Sequence, residues 1–74
     1  MQGVQTVSDE RKLTPREQSV LKGIVSGKTY AAIGSDLGIA YDTVKTVTNR
    51  IRAKTGCGNK AELIVWAMTN GVKP

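Results

Sequence analysis

Residues 42–54 carry apolar side chains at three- and four-residue steps, a spacing that predicts an α-helix with one buried face. The apolar positions on that face are Val44, Ile51 and either Val47 or Thr48. The other positions are mostly cationic or short hydrogen-bonding groups, and from Lys45 to Lys60 there are five cations and no acidic residue. Such a helix has to pack one face against a core, and its cationic face is suited to the major groove of DNA.

Three independent preferences mark the start of an earlier helix. Thr14 can cap it, Pro15 suits its first position, and Glu17 completes a capping box. Gly27 is expected to end this helix as a left-handed cap residue. The apolar stripe between start and end is Val20, Leu21, Ile24 and Val25, with Leu13 packing beneath it.

A second, short helix is predicted after a Thr29 cap. Gly34 lies inside it, where glycine costs about 1 kcal/mol relative to alanine. Close approach by a neighbouring helix explains that cost, and neutral drift is the alternative. The turn at residues 38–40 leads into the cationic helix, predicted over Tyr41–Thr55, and Ile39 is expected to fill the angle between the two helices. A short helix, a glycine-containing turn and a longer cationic helix together predict a helix-turn-helix.

A fourth helix is predicted after Asn59, which forms a second capping box with Glu62. Its positions are apolar almost all round: Ala61, Leu63, Ile64, Val65, Trp66, Ala67 and Met68. The terminal helix of a small domain cannot bury every side, so part of it is expected to face a partner. We expect Trp66 to lie either in the core or at that interface, and the same two alternatives apply to Ile64, Val65 and Met68.

The chain has 74 residues, a formal net charge of +5, one cysteine and no histidine. The length fits one small domain, and the charge favours a polyanionic partner, nucleic acid before an anionic membrane surface. The lone Cys57 and the missing histidine exclude an intrachain disulfide, a zinc finger and a Cys–His or Ser–His catalytic pair. We therefore expect no enzyme, no metal and no cofactor, and a reduced, cytoplasmic location at the nucleoid. Residues 1–12 are predicted to be a flexible tail.

Short motifs that are weak alone occur here in one order along the chain. They are Leu13-Thr14-Pro15-Arg16-Glu17, Gly27, Ile33, Leu37-Gly38-Ile39, Thr43-Val44-Lys45-Thr46, Ile51, Gly56 and Asn59-Lys60-Ala61-Glu62-Leu63. Taken in this order, they resemble the LuxR/GerE-type DNA-binding domain. The resemblance runs without a gap from Leu13 to about Gly71.

The resemblance implies an all-α, four-helix helix-turn-helix domain over residues 13–74. It implies transcription control in a bacterium or phage, with the Tyr41–Thr55 helix in the major groove of double-stranded DNA. It also implies a homodimer through the last helix, which would read the two halves of an inverted repeat about one DNA turn apart. The chain has no room for the sensor or receiver domain of many members. It therefore resembles either the stand-alone GerE-like kind or a domain cut from a larger regulator.

The expected DNA contacts lie on the third helix and at the starts of helices. Lys45 matches the DNA-contacting lysine of the family and is expected at a phosphate or a guanine edge. Thr46 and Asn49 suit a thymine methyl and an adenine edge, and Arg50 suits a base or a phosphate. We expect phosphate contacts from six further residues: Arg52, Lys54, Thr29, Tyr30, Thr43 and Tyr41. The alternative for each is a solvated charge, a helix cap or a packing role. The expected dimer interface is Ala61, Ile64, Val65, Trp66 and Met68.

The sequence departs from the family pattern in and before the third helix. Val47 stands where the family usually has histidine, and Thr48 stands where it usually has an apolar residue. Ala40 replaces the usual Ser or Thr cap of this helix. Asp42 is expected to compensate, because a negative charge is favourable near the positive end of a helix.

The sequence leaves other functions open. One is a protein-interaction module for RNA polymerase or another regulator, whose last helix would be a hetero-interface and whose DNA binding would be weak and non-specific. Another is an accessory DNA-architecture factor that uses the same helix. A sigma-factor-like fragment also opens with residues like 13–17, but the apolar final helix argues against it. Membrane binding is the weakest alternative, since no helix pairs a lysine-rich face with a broad aromatic one.

Overall fold

The computed structural model describes residues 13–72, and within that range it has four helices and no strand. The helices are α1 (Pro15–Val25), α2 (Tyr30–Leu37), α3 (Tyr41–Thr55) and α4 (Lys60–Thr69). The predicted all-α fold and its helix-turn-helix order are confirmed. The tail predicted at residues 1–12 lies outside the described residues. None of the described helices is long and apolar enough to cross a membrane.

Side-chain caps explain where α1 and α2 begin. The Thr14 hydroxyl accepts the Glu17 N–H at 3.1 Å, and the Glu17 carboxylate accepts the Thr14 N–H at 2.8 Å, so the predicted capping box is complete. At α2 the Thr29 hydroxyl accepts the Ala32 N–H at 3.1 Å. No acidic residue follows in the first turn of α2, so only half of a capping box forms there.

The cap of α4 differs from the prediction by one residue. Asn59 accepts the Glu62 N–H at 2.9 Å, as expected. The Glu62 carboxylate, however, accepts the N–H of Gly58 at 2.6 Å rather than that of Asn59. A Cβ at Gly58 would lie 3.3 Å from that carboxylate oxygen, a tight contact that a small shift of the Glu62 side chain would relieve.

The core draws on all four helices, and α3 packs against each of the other three. Leu13 and Ile39 pack against its edge, as predicted. Its buried apolar residues are Val20, Leu21, Ile24, Ile33, Val44, Val47, Ile51, Leu63 and Ala67.

The buried face of α3 includes both Val47 and Thr48, which are 4% and 1% exposed. The helical spacing predicted that either Val47 or Thr48 lies on the buried face, and the structure buries both residues. The Thr48 hydroxyl donates to the carbonyl of Val44 at 2.8 Å. Its polar group is thus satisfied within its own helix, which lets threonine occupy a buried position.

Gly34 is required by the close approach of the turn to α2. A Cβ at this position would lie 2.6 Å from the carbonyl oxygen of Ile39 and 3.4 Å from the side chain of Val44. The Ile39 N–H donates to the Gly34 carbonyl at 2.9 Å, which holds the turn against the helix. Between them Gly38 has a left-handed backbone with φ +71°. Close approach therefore accounts for Gly34, and the approaching group is the backbone of the turn.

Candidate nucleic-acid interface

The exposed face of α3 carries the two residues predicted to contact bases. The helix has 15 residues, a length of about 22 Å. Thr46 and Asn49 are exposed on the side opposite the buried residues of α3. Being three residues apart, they lie one above the other on the helix surface. Thr46 and Asn49 therefore project together from a side of α3 that residues 13–72 leave uncovered.

Lys45 and Arg50 lie on either side of this pair. At about 100° per residue they are about 140° apart around the helix, with Thr46 and Asn49 between them. Both are exposed, and neither forms a hydrogen bond or an ion pair with another residue of the range 13–72. Their positive charges therefore flank the Thr46–Asn49 pair on both sides.

The hydroxyl of Thr46 is already engaged within the helix. It donates to the carbonyl of Asp42 at 3.0 Å. A threonine hydroxyl has one proton, so Thr46 can offer a partner its oxygen lone pairs and its methyl group, but not a donor. This restricts the base edges that the side chain can recognise.

Arg52 and Lys54 form contacts within the domain that the sequence did not indicate. The ammonium of Lys54 lies 2.8 Å from the carboxylate of Glu17, 37 residues away. The guanidinium of Arg52 donates to the carbonyl of Gly58 in the turn before α4. A phosphate contact for either cation stays a prediction, and both already serve the fold.

Glu17 is buried, with 3% of the residue exposed. Burial raises its pKa, but hydrogen bonds from Lys54 and from the Thr14 backbone, together with the positive charge of Lys54, act in the opposite direction. Their sum leaves the pKa of Glu17 below its ordinary value of 4.5. The group is therefore a carboxylate at neutral pH, and it holds the end of α3 to the start of α1.

The starts of α2, α3 and α4 meet in a cluster of two tyrosines and a lysine. The rings of Tyr30 and Tyr41 have their centroids 6.1 Å apart. The ammonium of Lys60 lies 5.3 Å from the centroid of the Tyr30 ring. Lys60 was not among the predicted site residues, because a single sequence shows it only as part of a capping segment. The exposed Thr29 and Thr43 lie near the starts of α2 and α3.

The start of α3 has no side-chain cap. Ala40 has the extended backbone of a capping residue (φ −71°, ψ 154°), but it cannot accept a hydrogen bond through its side chain. Asp42 is the acidic residue in the first turn. The first N–H groups of α3 therefore lack the side-chain acceptor that α1, α2 and α4 each possess.

The residues predicted for the dimer interface divide into two groups. Ile64 and Trp66 are half-buried and pack against the core. Val65 and Met68 are 63% and 65% exposed, and Ala61 is exposed as well. The spacing of these three residues places them on one stripe of α4, here called the α4 stripe (Ala61, Val65 and Met68). The α4 stripe is apolar and is not covered by any part of residues 13–72.

Comparison with known proteins relates this arrangement to one family. The model of the bacterial regulatory proteins of the luxR family matches residues 11–67. The chain is 39% identical over 59 residues to the probable transcriptional regulator ycf29 of Cyanophora paradoxa, an alignment that covers 80% of this chain and 28% of that protein. It is 38% identical over 64 residues to the transcriptional regulatory protein YdfI of Bacillus subtilis (strain 168), with 86% and 30% covered.

A further relative is the transcriptional regulatory protein MctR of Rhizobium johnstonii, 37% identical over 60 residues, with 81% of this chain and 28% of that protein covered. The chain thus spans less than a third of the length of these curated relatives. No solved structure matches the chain significantly.

Proposed function

This chain belongs to the luxR family of bacterial regulatory proteins, and from that membership and the geometry of α3 we propose that it binds duplex DNA in a sequence-specific manner, as a homodimer on an inverted repeat. Members of this family are DNA-binding transcriptional regulators and not enzymes. In this proposal α3 lies in the major groove, and the protein controls transcription at the nucleoid in the cytoplasm.

The observation that carries the proposal is the uncovered face of α3. Thr46 and Asn49 are exposed there between Lys45 and Arg50, two cations without a hydrogen-bond or ion-pair partner among the described residues. Base contacts from such side chains each contribute about 1–3 kcal/mol of discrimination between base pairs. The cations supply affinity that depends on salt but not on sequence. The base contacts and the cations together supply sequence discrimination and affinity from a single face of α3.

The homodimer is supported by the α4 stripe. Val65 and Met68 expose apolar surface on a helix whose opposite side is the core. A two-fold contact through this stripe would bury it and present two copies of α3 to DNA. Two copies related in this way read an inverted repeat whose half-sites lie about 34–36 Å apart.

The first experiment is selection from a pool of random-sequence duplexes at two salt concentrations. It compares the wild type with a Lys45→Ala, Asn49→Ala double variant. The matched control is Gln18→Ala, Lys22→Ala, which removes an amide and a lysine from exposed positions on α1, a helix that packs against the buried side of α3. We expect the wild type and the control to enrich one inverted repeat, and the double variant to enrich none.

Other results would change the proposal. Weak wild-type binding with a steep salt dependence and no enriched motif would favour the protein-interaction alternative. Enrichment of a single half-site would support sequence-specific binding but contradict the proposed homodimer.

The second experiment addresses the dimer directly. Val65→Glu places a charge in the centre of the α4 stripe, and Ser19→Glu places the same charge on the exposed surface of α1. Sedimentation equilibrium is measured with and without the selected duplex. We expect only Val65→Glu to shift the protein to a monomer that occupies one half-site. Unchanged dimers in that variant would mean that the subunits associate through another surface.

A further inference from the structure

We propose that Lys60, the first residue of α4, is a contact to the DNA backbone that extends the interface of α3 along one edge of the groove. The inference rests on the proposed function and adds to it a residue that was not among the contacts expected from the sequence. The structure places Lys60 at one end of a row of side chains, here called the tyrosine row: Lys60, Tyr30, Tyr41 and Lys45.

The tyrosine row is continuous in space, although its residues come from three helices. The Lys60 ammonium lies 5.3 Å from the centroid of the Tyr30 ring. The Tyr30 and Tyr41 centroids are 6.1 Å apart. Tyr41 and Lys45 are four residues apart in α3, so they lie on the same flank of that helix. The row therefore joins the start of α4 to the flank of α3 from which Lys45 projects.

The row has a cation at each end and phenol hydroxyls between them. Lys45 and Lys60 are exposed, and neither forms an ion pair with a carboxylate in residues 13–72. Within the same residues neither tyrosine hydroxyl has a hydrogen-bond partner. Ammonium and phenol groups are among those that contact DNA phosphates. The chemistry of the row thus fits a run of backbone phosphates.

Two acidic residues, Glu62 and Asp42, lie close to the tyrosine row in the sequence or on the helices that carry it. Glu62 in the first turn of α4 accepts the Gly58 N–H at 2.6 Å. Asp42 is turned about 100° away from Tyr41 around α3, but it lies three residues before Lys45 and is therefore adjacent to Lys45 on the helix surface. Glu62 is therefore engaged, whereas Asp42 is a negative charge beside Lys45, at the end of the row opposite Lys60.

The position of Lys60 also runs against helix electrostatics. A cation is disfavoured at the first residue of a helix, because the helix dipole is positive at that end. A residue that is unfavourable for its local secondary structure is expected mainly at functional positions. The ring of Tyr30 holds the cation in place by a cation–π contact, at a point where three helix starts converge.

The test compares Lys60→Gln with Lys22→Gln, which removes the same charge from the exposed side of α1. The full chain is titrated over a range of KCl concentrations against two duplexes, the one that wild type enriches and an unrelated one of equal length. We expect Lys60→Gln to lower the affinity for both duplexes by the same factor. It should also reduce the slope of log K against log salt by about 0.9 per protomer, while Lys22→Gln leaves the slope unchanged.

Two further variants sharpen the result. Lys60→Arg keeps the charge and is expected to retain the wild-type slope. Tyr30→Leu removes the ring beneath the ammonium, and its effect on binding should be non-additive with that of Lys60→Gln. Additive effects would overturn the role assigned to the ring.

The outcomes separate this inference from the proposed function. If the wild type binds DNA and Lys60→Gln has the same slope as Lys22→Gln, the inference is overturned and the proposed function stands. If the wild type binds neither duplex, the proposed function fails and the inference fails with it. Circular dichroism of each variant at the assay temperature shows that a loss of binding is not a loss of folding.

Discussion

Lys54 and Glu17 form an ion pair, with Nζ and Oε1 2.8 Å apart, that joins the last turn of α3 to the first turn of α1. The same carboxylate oxygen accepts the N–H of Thr14 at 2.8 Å. One buried atom therefore caps α1 and holds α3 in place. In the proposed function this contact orients the helix that enters the groove.

Replacement of Glu17 by glutamine should lower stability at neutral pH by about 1–3 kcal/mol, because the charge attraction to Lys54 is lost while the amide oxygen can still accept hydrogen bonds. The folded pKa of Glu17 lies below its ordinary value of 4.5. The stability that the carboxylate contributes is therefore present above pH 4.5 and is lost as the pH falls through the lower, folded value. Urea unfolding between about pH 7 and about pH 3 measures this dependence.

The control for this prediction is Asp36→Asn. It breaks an ion pair with Lys28 whose side chains are 52% and 48% exposed, so its effect should be small. The stability difference between wild type and Glu17→Gln is expected to shrink as the solution becomes acidic. A difference that stays constant over the whole range would contradict the assigned role of the charge.

Gly34→Ala should destabilise the domain by about 1–3 kcal/mol, the usual range for overpacking. Alanine improves helix propensity by about 1 kcal/mol. That gain is outweighed because its Cβ would lie 2.6 Å from the backbone oxygen of Ile39, which cannot rotate away as a side chain does. Equilibrium denaturation provides the measurement. Ser35→Ala, on the exposed side of the same helix, is the control and should be neutral or slightly stabilising. A Gly34→Ala protein as stable as the wild type would mean that the turn can move.

Ala40→Ser should stabilise the domain by about 0.5–2 kcal/mol. Ala40 already has the backbone of a capping residue but offers no acceptor to the first N–H groups of α3. A serine hydroxyl at this position can accept one of them. The midpoint of thermal unfolding is the simplest measurement. Ala53→Ser, inside α3 and exposed, introduces the same hydroxyl without a cap and should be slightly destabilising. An equal response at both positions would show that α3 gains nothing from a cap.

The methyl group of Thr46 should set a preference for thymine at one position of the selected duplex. Its hydroxyl donates to the backbone carbonyl of Asp42 at 3.0 Å, so the side chain can offer a base only an acceptor oxygen and a methyl group, and the methyl suits the methyl group of thymine. Selection with Thr46→Ser should lose the preference, and selection with Thr46→Val should keep it. The reverse pattern would indicate that the hydroxyl oxygen, rather than the methyl, reads the base.

Much of the fold could be predicted from the sequence, because the signals that begin and end helices act within one turn. The cap at Thr14, the left-handed backbone at Gly38 and the bounds of α3 at Tyr41–Thr55 all agree with the sequence prediction. Helical periodicity also identified the face that carries Thr46 and Asn49, since burial at three- and four-residue steps leaves the opposite side exposed. The roles of these residues on DNA stay predictions.

The sequence alone therefore determined the helices, the turn between α2 and α3, and the exposed side of α3. Only the tertiary structure decided which cations of that region remain unpaired. Lys54 is engaged by Glu17 and Arg52 by the Gly58 carbonyl, whereas Lys60 reaches the ring of Tyr30. Such contacts depend on the angles at which the helices cross. These angles are set by packing between residues far apart in the chain, and sequence patterns within one helical turn carry no information about that packing.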